Sequence, residues 1–88
     1  MSEIEIFLEE KIDRDLGSRN KIEKLFKSIP QDTTKVIMNF KGVEFIGRSF
    51  AQEYLNRKHD SSFEVVEVNM PEDVEKMFNF ILEINGHL

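Results

Sequence analysis

Three times along this chain, a short apolar run with β-type spacing gives way to apolar positions at helical spacing. That alternation admits few folds. Ile4, Ile6 and Leu8 alternate with Glu3, Glu5 and Glu9, the pattern of a half-buried strand. Leu16-Gly17-Ser18 then turns the chain, with Ser18 placed to cap a helix. Ile22, Leu25, Phe26 and Ile29 follow at helical spacing until Pro30 stops them. Val36, Ile37 and Met38 are apolar at consecutive positions, which predicts a strand covered on both faces. Phe50, Ala51, Tyr54 and Leu55 mark one face of a second helix, and Phe63, Val65, Val66 and Val68 give a third strand.

Asn69 reads as the cap of a third helix, with Pro71 in its first turn and Glu72 at the capping-box position. Its apolar stripe is Val74, Met77, Phe78, Ile81 and Leu82, and Gly86 stands where a C-terminal cap is expected. The order is therefore β-α-β-α-β-α. Connections of this length imply parallel strands joined by right-handed crossovers. The expectation is a small α/β sandwich with a mainly parallel sheet.

Length and composition narrow the function classes. Residues 1–88 form one domain, without an internal repeat, a linker or room for a separate catalytic lobe. A chain this size buries roughly 60–65% of its unfolded surface, so a homodimer is a natural supplement to its modest core. The apolar fraction of 40% and the eight phenylalanines fit a packed globule. With no cysteines, disulfides and thiolate metal sites are excluded, and the composition suits a reducing cytoplasm. No apolar run approaches the roughly 18 residues that cross a bilayer, and the acidic start is unlike a signal peptide. The net charge of −5, with both signs interleaved, disfavours direct nucleic-acid binding.

In a parallel sheet every strand-to-helix loop emerges at one edge, where open α/β folds bind ligands or partners. Those loops fall at Lys11 to Ser18, Phe40 to Ser49, and Asn69 to Met70. The middle loop is the longest and carries the most unusual residues. Gly42 and Gly47 suit loop conformations open to glycine, and no phosphate-cradling glycine pattern surrounds them. Phe45 and Ile46 read as core plugs or, if exposed, as a knob for a partner. Ser49 opens the following helix. It is either a cap, its oxygen accepting from an amide two or three residues on, or a phosphoacceptor opposed by Arg48 and the helix dipole. Glu53 lies one position beyond the capping-box site.

Elsewhere the chemistry is sparse. Asp13 and Asp15 flank Arg14 in a polar turn, and a carboxylate pair can hold Mg²⁺ or move protons, although turn chemistry accounts for them. His59 and His87 lie in polar contexts without ligand-like spacing and read as surface residues. No nucleophile-and-base set is evident, so no catalytic residues, metal ligands or cofactor are assigned.

The run from Val36 to Phe40, followed by Lys41-Gly-Val-Glu-Phe-Ile-Gly-Arg-Ser-Phe-Ala-Gln-Glu53, resembles the signature of a STAS-like family of unknown function. That family reads hydrophobic–Asp–Phe, then Gly–Val, then Ser–Phe–Ala and an acidic pair. Gly17-Ser18-Arg19 before the first helix is similar to it as well. More remotely, the chain is similar to STAS domains of anti-sigma-factor antagonists and sulphate transporters. There a serine at a helix start is phosphorylated by a histidine-kinase-like ATPase, and by position Ser49 matches that serine. Gly47 and Arg48 replace the Asp-Ser before it, Phe50 replaces the following glycine, and Asn39 stands for the usual aspartate.

The resemblance implies a non-enzymatic regulatory module whose partner is a histidine-kinase-like ATPase or a sigma-type regulator. Gly42, Glu44, Phe45, Gly47, Arg48, Phe50, Gln52 and Glu53 would form its recognition surface around Ser49. Two other readings stand beside it. One is a small-ligand or nucleotide-binding domain using the same loop, and the other is a structural subunit of a homo-oligomer or larger complex.

Overall fold

The computed structural model describes residues 2–12, 15–16 and 19–84, and its main elements follow the hydrophobic periods of the sequence. In order they are β1 (Glu3–Phe7), α1 (Leu8–Lys11), β2 (Asp15–Leu16), α2 (Arg19–Lys27), β3 (Lys35–Asn39), β4 (Phe45–Ile46), α3 (Arg48–Asp60), β5 (Glu64–Val68) and α4 (Glu72–Ile84). The α/β class is as expected. β1, β3 and β5 form a parallel sheet in that order, so β3 is central and both neighbours are edges. The short strands β2 and β4 pair in parallel as a second, two-stranded sheet.

Side chains alternate across each strand, and burial follows that alternation. Ile6, Val36, Met38 and Val65 point to one side and join a single core with Ile22, Leu25, Phe50, Ala51, Val74 and Ile81 from the three long helices. α2 packs on α3, and α3 on α4, so these helices make one layer over one face of the sheet. Aromatic rings fill the centre. Tyr54 meets Phe40 edge-on at 5.9 Å, and Phe78 lies 5.2 Å from Tyr54, with Phe40 0% and Tyr54 1% exposed. Such pairs add to the burial of their large apolar area.

Four expectations need correction. The first strand ends at Phe7 and Leu8 starts the one-turn helix α1, where it is fully buried. β3 is not covered along both faces: its second face is closed only at Asn39. Val36 and Met38 are buried against the helices, whereas Ile37 on the opposite face stays half-exposed. The loop from Phe40 to Ser49 contains the strand β4, which ties it to β2.

Asn69, finally, does not cap α4, which begins at Glu72. It sits at φ 53°, a left-handed conformation that asparagine tolerates, and its amide donates to Asn39 Oδ1 at 3.2 Å. Asn39 in turn donates to Glu5 Oε2 at 3.0 Å and accepts from the Lys41 backbone N–H at 2.9 Å. The buried asparagine thus ties β1, the turn after β5 and the loop after β3 together at the carboxyl edge of the sheet. The expected caps at Ser18 and Gly86, the Gly17–Arg19 turn, Asp13, Arg14 and His87 lie wholly or partly outside the described residues.

Candidate functional site

The start of α3 lies at the carboxyl edge, delivered there by β3 and the loop that β4 braces. Gly47 is its N-cap, with extended φ −81° and ψ 157°, and its carbonyl accepts the first helical bond, from the Ala51 N–H at 3.0 Å. Ser49 is therefore the second residue of the helix and not its cap. Its hydroxyl makes no hydrogen bond with another described residue, and its side chain is exposed. At φ −81° Gly47 does not need glycine's freedom, whereas Gly42 does, at φ 83°. A Cβ on Gly42 would also collide with the Glu9 carboxylate.

This helix end is electrostatically open. Gly47 makes no side-chain cap, and no acidic residue stands in the first turn. The unpaired amides and the dipole therefore keep their partial positive charge. Arg48 adds a full charge, exposed beside Ser49, with its guanidinium carbon 5.6 Å from the centre of the Phe80 ring. That is a cation–π contact. A shallow groove of about 320 Å³ runs along Arg48, Ser49, Gln52, Glu53 and Asn56.

The remaining expected contact residues divide. Phe45 is 51% exposed while its neighbour Ile46 is buried, so one is a knob and the other a plug. Gly42 and Glu44 are exposed. Phe50 corrects the expectation outright: at 0% exposed it belongs to the core and offers a partner nothing. Gln52 donates to Asn56 Oδ1 at 3.3 Å. Glu53 accepts from Arg57 Nε at 2.7 Å, and the same guanidinium reaches Glu23 on α2 at 2.6 Å. Glu53 is thus part of a clamp between α3 and α2, its charge opposed by Arg57.

Phe80 was not evident from the sequence. It is 47% exposed on α4, which also packs against β4, the strand that carries Phe45. The available signal was Phe80 and Ile84 four positions apart, off the core stripe and both exposed.

Beneath this surface, Tyr54 donates to Glu67 Oε2 at 2.7 Å, and Lys58 donates to the other oxygen at 3.0 Å. Burial first, then the Glu67 charge and hydrogen bond, raise the Tyr54 phenol well above its ordinary value. His59 is exposed in the last turn of α3, about 15 Å along the axis from Ser49, so the two do not meet. Among the described residues no three His, Cys, Asp or Glu side chains could hold a metal ion, and no helix is long and apolar enough to cross a membrane.

Scans of protein-family models, curated proteins and solved structures found no match. The likeness to STAS-like proteins rests on the motifs of the sequence.

Proposed function

We propose that this protein is a non-enzymatic regulatory module of the cytoplasm that works by protein–protein contact, with Ser49 as its phosphorylation-controlled charge switch. The observation that carries this reading is that the exposed Ser49 hydroxyl makes no hydrogen bond with another described residue. Gly47 takes the capping role, and the Ser49 hydroxyl points free on the first turn of α3. A phosphate there adds about −1.5 to −2 charge where the helix dipole and Arg48 both favour it. The phosphate would draw Arg48 from Phe80 and change both the charge and the apolar relief that a partner meets. Phe45, Arg48, Ser49 and Phe80 are the contact residues, and the STAS-like motifs favour a histidine-kinase-like ATPase or a sigma-type regulator as partner.

Titration of such a partner against wild type, Ser49→Ala and Ser49→Asp tests this. Alanine should bind as wild type does, because no hydrogen bond is lost, and its stability should stay within about 0.5 kcal/mol. Aspartate should change the affinity about tenfold, because a charge set beside a like or an opposite charge of the partner is worth at least that much. Equal affinity for all three proteins would sink the switch.

A further inference from the structure

The face of the sheet turned away from the helices leaves apolar side chains in reach of solvent. Its nine side chains form a grid set by the strand register. Glu3, Lys35 and Glu64 lie side by side, then Glu5, Ile37 and Val66, then Phe7, Asn39 and Val68. Phe7 is 36% exposed, and Ile37, Val66 and Val68 are half-exposed, so these four apolar side chains form a patch around the buried Asn39 at the middle and carboxyl end of the grid. Parallel sheets occur almost always with both faces covered by crossover helices, and strands buried in this way are apolar on both sides. Here the second apolar side is present and the described residues place no long helix on it.

Size and charge identify what would cover it. Three strands span roughly 10 Å and three side-chain rows roughly 13 Å. That footprint matches about two turns of a single α-helix, whose diameter with side chains is about 10–12 Å. Glu3, Glu5 and Glu64 are exposed around the patch, against one lysine, Lys35, which stands in register between two of them. A second copy of this chain would bring the same acidic surplus to the contact and be repelled. We infer that this face docks an amphipathic helix of a partner protein, with an apolar ridge flanked by Lys or Arg. The helix would complete a three-layer α/β/α arrangement. Its ridge would cover Ile37, Val66, Val68 and Phe7 while its flanks pair with Glu3, Glu5 and Glu64.

Two synthetic peptides of roughly 14 residues, long enough to hold a helix, make the test. They share one leucine ridge, and their flanks are all lysine in one and all glutamate in the other. Each is titrated into isotope-labelled protein while backbone amide shifts are followed. The lysine peptide should shift the amides of Ile37, Val66 and Val68 saturably and bind about tenfold or more tighter than the glutamate peptide. The combined variant Glu3→Gln, Glu5→Gln and Glu64→Gln should fold normally, since glutamine keeps the acceptor that Asn39 uses, and should lose most of that preference. Equal binding of the two peptides, shifts confined to the helix side, or no shift on this face at millimolar peptide would overturn the inference. So would concentration-dependent dimerisation through the same amides, which would make the occupant a second copy.

Discussion

The helix side and the open side of the sheet are built from alternate residues of the same three strands, and they have opposite fates. On the first, Ile6, Val36, Met38 and Val65 are sealed under Phe40, Tyr54 and Phe78. On the second, Ile37 and Val66 stay half-exposed beside Glu3, Glu5 and Glu64. Neighbouring apolar residues in a strand therefore report that both faces favour cover, not that the chain itself supplies it. Stability resides on the helix face, and the proposed recognition surfaces are the other face and the rim at the start of α3.

If that division holds, substitutions should rank by side. Phe40→Ala removes a ring that is 0% exposed at the centre of the aromatic cluster, and should cost about 3–5 kcal/mol in denaturant unfolding. A loss below about 1 kcal/mol would mean that the helix side is loosely packed.

Tyr54→Phe should cost less, about 1–2 kcal/mol, through the lost hydrogen bond to Glu67. It also carries a pH signature. The folded phenol is held above its unfolded value, so the folded state keeps a proton that the unfolded chain releases. The stabilisation is then fully present below about pH 10, the unfolded value, and is lost as pH rises toward and through the folded one. Wild type should therefore lose stability above about pH 10 more steeply than Tyr54→Phe, as melting temperature against pH would show. Parallel profiles would contradict the burial of this hydroxyl.

The smallest effect belongs to the open face. Ile37→Thr should change stability by less than about 1 kcal/mol, since its side chain already meets water. A cost comparable to that of Phe40→Ala would show that this face is covered within the chain.

Most of this fold is legible in the sequence where a period is long enough to detect. The stripe of α4 and the apolar residues of α2 and β5 gave their elements directly. β2 and β4 are two residues each, too short to carry any alternation. α1 has no distinct sequence signal, because Leu8 satisfies a strand's alternation and a helix's first position equally well. The site was legible in its place and less so in its detail. Serine's preference for caps pulled the helix start to Ser49, whereas Gly47, with no side-chain bond of its own, takes that position. Phe50 and Phe45 differ in burial because one lies on the inner face of α3 and the other projects from a two-residue edge, a distinction that hydrophobicity cannot make.

The most direct test of the functional account is to incubate the protein with ATP and a histidine-kinase-like ATPase and to map the phosphate by mass spectrometry. One phosphate is expected, on Ser49, and none on Ser49→Ala. A phosphate placed elsewhere, or equal labelling of the alanine variant, would contradict it.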